Sequence, residues 1–396
     1  MKPIRVLQII AGFAVEGPLG GIERFGIELA RQLQRRGFDP ILCGLWDFRT
    51  PFDQQWVERL NAEGITAFTA APKDDDAPYR NYRDLLQGIL RQSPRPVDII
   101  HSHSEFGDVA ALLLRRRLEA RALVRTVHNE REWRKRPLRR LLLTNLLYPL
   151  FYDQELGVAQ QVVDNLNRRV VARGLGRTAG RMYNALNFDR FTAVTVDRAA
   201  KRVALGLPAV GPIIGSVGRL TEQKGYHLLL EAVPQVLAHH PAAHFVLVGS
   251  GDQSAALVEQ AHRLQIAAHV HFTGARGDIE ELFGLFDLFV SSSLWEGLPT
   301  VILESMAAGV PVVATTVSGS SEQVIDGVTG RLVTPGDPVA LAEGMIDLLG
   351  DPAKAAQLSA AARPFAMARF SIQAVAEAHV QLYHRLIATT TGSEDD

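Results

Sequence analysis

Short apolar runs alternate with stretches of helical spacing along the chain. Arg5–Ile10, Ile41–Gly44, Asp98–His101 and Leu123–Val127 read as strands, with a helix from about Gly21 to Arg36 after the first. A second series starts at Ile213–Val217 and continues through Phe245–Val248, Val270–Phe272, Leu288–Val290 and Val312–Ala314. Alternation of this kind predicts parallel βαβ units, and therefore an α/β fold of two doubly wound halves. The halves are expected at residues 1–190 and 208–365, with a linker near 190–208 where polar and small residues precede Leu207-Pro208. After Pro364, Ile372, Val375, Ala376, His379, Leu382, Tyr383 and Leu386 recur at helical spacing, which predicts an amphipathic helix at about 368–388.

Composition places few limits on this picture. A chain of 396 residues with 47% hydrophobic and 21% charged residues has the make-up of an ordinary globular protein with sizeable cores. Its 42 basic and 43 acidic residues nearly cancel, so no global field recruits nucleic acid or membrane, and any steering is local. Cys43 is the only cysteine, which excludes an internal disulfide framework and fits a reducing cytoplasm. The apolar run at Ile4–Ile10 is too short for a secretion signal, and no stretch has the length of a transmembrane helix. No metal cofactor is expected, because the one cysteine and the scattered histidines lack ligand spacing.

The candidate chemistry gathers at strand ends. Glu296 and Glu304 are separated by seven residues. Pro299 suits a first helical position, Gly309 a left-handed cap and Pro311 a stop, so Glu296 falls in a loop and Glu304 inside a short helix. The loop carrying Glu296-Gly297-Leu298, ahead of a helix that starts at Pro299-Thr300, follows the strand Leu288–Val290. In a parallel sheet it therefore lies at the carboxyl ends, where ligands bind and helix amides face anions. Acids beside a phosphate site would repel phosphate and more plausibly accept hydrogen bonds from sugar hydroxyls. Gly218-Arg219-Leu220-Thr221-Glu222-Gln223-Lys224-Gly225 follows Ile213–Val217 directly, so Arg219 and Lys224 emerge where a planar guanidinium fork and a mobile ammonium can hold a diphosphate. Gly251, after Phe245–Val248, belongs to a permissive turn. Gly20 and Gly21 open the first helix, where backbone can approach a ligand closely, and no dinucleotide fingerprint occurs there. His101, His103 and His128 stand at neighbouring strand tips.

The acid spacing, continued as Ser305-Met306-Ala307-Ala308-Gly309-Val310-Pro311-Val312, resembles the signature of retaining GT-B glycosyltransferases of glycosyltransferase family four. The resemblance implies two Rossmann-like domains facing a central cleft, with the last helix crossing back onto the N-terminal domain. It implies a nucleotide-diphosphate sugar as donor, with Arg219 and Lys224 on phosphate, Glu304 on the ribose and Glu296 on hydroxyls of the transferred sugar. Backbone at Gly274-Ala275-Arg276 would meet the base, and His103 the reacting carbon of the sugar, with His101 and His128 structural. It also implies retention of configuration, by same-face attack with no covalent nucleophile. Asn184-Ala185-Leu186-Asn187 and Ala159-Gln160 depart from the family pattern, which leaves acceptor handling open.

A basic stretch, Arg131, Arg134, Lys135, Arg136, Arg139 and Arg140 around Trp133, runs into Leu141-Leu142-Leu143 and Leu146-Leu147-Tyr148. It suggests a second partner, an anionic membrane surface met through Arg131–Tyr148, and thus a cytoplasmic enzyme that touches the inner face of the cell membrane. Its expected acceptor is a saccharide or lipid-linked saccharide of envelope or exopolysaccharide biosynthesis. Competing readings are a non-catalytic sugar-nucleotide-binding subunit and a GT-B epimerase or phosphorylase. The Glu296-Gly297-Leu298-Pro299 loop disfavours the epimerase, and the lack of an evident cofactor lysine the phosphorylase.

Overall fold

The computed structural model describes residues 2–14, 20–73, 82–128, 132–133, 136–192 and 194–391. The chain forms two compact units, Met1–Ala185 with Ile372–Asp396, and Leu186–Ser371.

The first unit is built on a parallel sheet with strands β1 (Arg5–Ile10), β2 (Asp39–Asp47), β3 (Thr66–Pro72), β4 (Ile99–Ser102), β5 (Ala122–Val127), β6 (Gln154–Gly157) and β7 (Gly180–Arg181). Their spatial order is β3-β2-β1-β4-β5-β6-β7, so the winding reverses between β1 and β4. Register follows burial: Leu7 pairs with Ile41 on one side and Ile100 on the other, which keeps all three in one core layer. The predicted strands appear, Arg5–Ile10 with the same bounds, Ile41–Gly44 and Leu123–Val127 lengthened, and Asp98–His101 shifted by one residue to Ile99–Ser102. Three others had no sequence signal. β3 is mostly threonine and alanine around the single core aromatic Phe68, and β7 has only two residues. β6 carries Glu155, which is buried because Arg125 and Arg169 both pair with it.

The helix Ile372–Thr391 belongs to this first unit, so the chain end does return to it. It buries Ile372, Val375, Ala376, Leu382 and Tyr383 against Phe25, Leu29 and Leu33 of the helix Gly21–Arg35. That is the apolar stripe read from the sequence, now with its partner. Among the described residues, no helix is long and apolar enough to cross a membrane.

The second unit repeats the plan with β8 (Ile213–Val217), β9 (His244–Val248), β10 (Val270–Gly274), β11 (Leu288–Ser291), β12 (Val312–Thr315) and β13 (Arg331–Val333). The order is β10-β9-β8-β11-β12-β13, again all parallel, reversing between β8 and β11. β13 is an edge strand whose Arg-Leu-Val run is too short to be read in advance. The stretch expected as a linker is instead folded into this unit. Arg190 pairs with Glu280, Arg198 with Asp287 at 2.7 Å, and Lys201 with Asp278 and Glu281.

The returning helix also closes a buried polar layer over β4 and β5. His101 Nδ1 lies 2.6 Å from the Tyr383 hydroxyl and its Nε2 2.7 Å from Thr126 Oγ1. His379 Nδ1 donates to the Val375 carbonyl at 2.9 Å, and the ring of His101 lies tilted against that of His103, 4.2 Å between centres. Burial holds His101 and His103 well below the ordinary imidazole range, reinforced by their histidine neighbours, and lowers His128 to about 3 and His379 to about 4.

These rings are therefore neutral in the native state. Below the ordinary imidazole pKa, about 6.5, the unfolded chain takes up protons that the native state refuses. Stability is then complete above that pH and declines as pH falls, by on the order of 1 kcal/mol per histidine at about pH 5.5. Calorimetric melts should show a lower Tm at pH 5.5 than at pH 7.5, and an unchanged or higher Tm would contradict this.

Candidate functional site

In an open parallel sheet the loops after the two strands that flank the reversal diverge, and the gap between them is where ligands lie. In the second unit those loops follow β8 and β11, and they carry Gly218–Gly225 and Ser292–Pro299. Lys224 Nζ meets Glu296 Oε1 at 2.5 Å, with the lysine side chain 18% exposed and the glutamate 7%. The expected phosphate cation and the expected sugar acid thus face each other across the reversal.

The two loops interlock. Ser292 Oγ donates to the Lys224 carbonyl at 2.9 Å, and the Leu294 amide donates to the Gln223 carbonyl at 2.8 Å. Gly225 sits at φ +60°, and a Cβ there would lie 2.2 Å from the Ser292 carbonyl oxygen. Only glycine combines that backbone conformation with that approach.

Glu296 has further partners that no motif announced. Ser293 Oγ donates to Oε1 at 2.8 Å, Gln223 Nε2 to Oε2 at 3.3 Å, and Ser318 Oγ to the Glu296 carbonyl at 2.8 Å. Ser293 is itself held, its carbonyl accepting from Thr315 Oγ1 at 2.6 Å. The one available signal was the run Ser291-Ser292-Ser293, three hydroxyls where a buried apolar strand ends. The carboxylate is thus oriented from several sides while the ammonium keeps donors for an anion, since one amine has three N–H bonds.

Around this pair, Gly218 packs against Lys224, a Cβ there reaching 3.3 Å from Lys224 Cε. Gly251 lies against the Leu220 backbone, with 2.2 Å between a built Cβ and the carbonyl oxygen. Gly297, Leu298 and Pro299 are buried, and Pro299 is the N-cap of the helix Thr300–Ala308, one position earlier than expected. Thr300 opens that helix and Glu304 sits half-buried within it; Gly309 ends it at φ +74°. Arg219 is exposed beside Gly218. Arg276 is set apart from the pair: its guanidinium grips Asp278 at 2.8 and 2.7 Å and holds that carboxyl well below the usual range.

Gly20, Gly21 and His103 belong to the first unit and gather at its own reversal, between β1 and β4. Gly20 caps the helix Gly21–Arg35, its amide donating to Glu23 Oε2 at 3.1 Å, and a Cβ at Gly20 would meet open space. His103, just beyond β4, donates its amide to the Ile9 carbonyl at 2.9 Å and packs edge-on against Phe25 of that helix, 5.8 Å between ring centres. Its Nδ1 lies 3.3 Å from His128 Nε2, while its Nε2 is buried with no partner among the described residues.

Residues 197–365 match the family described as Glycosyl transferases group 1, and residues 19–174 match Glycosyltransferase Family 4. The lipopolysaccharide core biosynthesis glycosyltransferase LpsE of Rhizobium meliloti is 34% identical over 194 residues, 49% of this chain and 56% of LpsE, so the match spans little more than half of that relative. The GDP-mannose-dependent alpha-(1-6)-phosphatidylinositol monomannoside mannosyltransferase of Mycolicibacterium smegmatis is 32% identical over 283 residues, 66% of this chain and 71% of the relative. The crystal structure of Anabaena Alr3699/HepE in complex with UDP and glucose superposes with a TM-score of 0.79 at 22% identity, covering 96% of this chain and 100% of that one, which shows a shared fold.

The interlock at Gly225 generates a stability test. Gly225→Ala forces an L-residue into the left-handed region, a penalty of about 1–2 kcal/mol before any clash with Ser292. Urea melts should show at least that loss, and a variant as stable as the parent would mean the loops are not tied as described.

Proposed function

The chain belongs to the group 1 glycosyltransferases of glycosyltransferase family four, and from that premise we propose that it moves a sugar, with retention of configuration and without a metal, from a nucleotide-diphosphate sugar to a saccharide or lipid-linked saccharide of the cell envelope. The observation that carries this reading is the Lys224–Glu296 pair at the reversal between β8 and β11. It sets a phosphate-binding cation beside a hydroxyl-binding acid, which suits a ligand that is anionic at one end and a polyol at the other. The UDP and glucose bound by HepE support a nucleoside diphosphate with its sugar as donor. The lipopolysaccharide core role of LpsE and the phosphatidylinositol monomannoside acceptor of the mycobacterial relative support an envelope acceptor.

In the proposed reaction the bond between the anomeric carbon and the diphosphate oxygen breaks while the acceptor oxygen bonds to the same face of that carbon. The acceptor proton passes to the departing phosphate oxygen. Arg219 and Lys224 stabilise the charge gathering on the diphosphate. Glu296, oriented by Ser293 and Gln223, accepts hydrogen bonds from sugar hydroxyls. Glu304 takes the ribose, and the loop Gly297-Leu298-Pro299 with Thr300 and Gly251 walls the donor. His103 is the candidate on the first unit to face a sugar.

A charge-assisted hydrogen bond contributes about 1.5–3 kcal/mol, so Arg219→Ala should lower kcat/KM by roughly 10- to 100-fold. Turnover at the parent rate would overturn the role. Release of free nucleotide from donor in the absence of acceptor should be slow but measurable, whereas a binding subunit would release none.

A further inference from the structure

Six of the sixteen exposed large apolar side chains among the described residues cluster rather than scatter. Leu138, Leu141, Leu142, Leu146, Leu150 and Phe151 fall within one short segment of the first unit, and Leu138, Leu141 and Leu142 are 81%, 63% and 52% exposed. The segment is a π-helix, Arg140–Leu147, between a turn at Pro137–Arg139 and a last turn at Tyr148–Phe151. Its opposite face is buried and polar.

Thr144 and Tyr148 point inward, and the Arg125 guanidinium lies 4.1 Å from the centre of the Tyr148 ring. Arg125, only 1% exposed, also binds Asp108, Glu132 and Glu155, while Arg169 joins Glu155 to the Thr144 carbonyl at 2.7 Å. Buried charges joined in this way are expensive to separate, because removing one partner leaves the other charged and unpaired away from water. The network therefore holds the segment in one orientation, with its leucines outward.

The charge carried by the segment itself has one sign. From Trp133 to Tyr152 the sequence contains no Asp or Glu. Arg140 is exposed and Arg136 and Arg139 are half-exposed on the segment itself. The neighbouring helix Val170–Gly174 packs against it, flanked by exposed Arg168 and carrying exposed Val170 and Arg173. Trp133, in contrast, is buried edge-on against Phe106 and takes no part in the surface. Arg131, Arg134 and Lys135 lie outside the described residues.

We propose that this leucine face, rimmed by arginines and fastened from beneath by the Arg125 network, docks onto the surface of an anionic lipid bilayer. Apolar side chains enter the boundary between headgroups and acyl chains while the guanidinium groups stay with the phosphates. A second copy of the chain is a poorer occupant, because a twofold contact through this face would set like-charged arginines against one another. The surface adds a partner to the proposed sugar transfer and rests on that reading only for its purpose, which is to bring the enzyme to a lipid-linked acceptor.

The full chain should co-sediment with phosphatidylcholine vesicles containing about a third phosphatidylglycerol, and much less with phosphatidylcholine alone or at high salt. Leu141→Ser with Leu142→Ser, and separately Arg139→Glu with Arg140→Glu, should each lower the partition coefficient about tenfold or more. Donor hydrolysis in free solution should be unchanged in both. A parent protein that stays in the supernatant with anionic vesicles overturns the proposal. So does lipid-free dimerisation that the leucine changes abolish, which would assign the face to a second copy. If donor hydrolysis is absent from the parent while vesicle binding persists, the sugar-transfer reading fails and the docking surface stands.

Discussion

A lysine ammonium and a glutamate carboxylate, 2.5 Å apart and mostly withdrawn from water, tie the loops after β8 and β11 together. Coulomb attraction is strong where water is scarce, and each charge would be costly to leave alone there. The loops must therefore keep the pair in register. The backbone bond from the Leu294 amide to the Gln223 carbonyl and the bond from the Ser292 hydroxyl to the Lys224 carbonyl do so, and Gly225 permits the approach. The surrounding features of the second unit's candidate site follow from that tie: the orientation of Glu296, the position of Gly218 against the lysine stem, and the start of the helix that carries Glu304.

The first unit uses polar burial for a different end. Its histidine layer and its arginine network both sit where apolar side chains would be simpler. The histidines fasten the returning helix through Tyr383. The arginines fasten the leucine segment through Tyr148 and the Thr144 carbonyl. In each case directional contacts specify one arrangement of an element whose apolar surface alone would allow several.

The second unit has a parallel case outside its site. Arg276, singled out beside the candidate base contact, spends its guanidinium on Asp278, which also takes Lys201. Those contacts fold residues 190–204 onto the unit. The Arg276 side chain thus helps to fold its own unit, while the expected base contact concerns its backbone.

Local patterns along the chain were enough to set the sheet framework and the identity of the chemical groups. Continuous apolar runs such as Phe245–Val248 and Leu288–Val290 have few options besides buried strands, and glycine at 225 and 309 fits the left-handed positions they occupy. Recognition of the acid spacing added the family. The tertiary structure alone decided which groups meet. Glu155 could not be read as buried, nor β6 as a strand, until Arg125 and Arg169 arrived from elsewhere in the chain. Ser293 and Gln223 gained their purpose only when two loops about seventy residues apart closed on Glu296. Local periodicity reports the environment of a backbone segment, whereas pairing between distant polar groups depends on three-dimensional position, which no window of sequence contains.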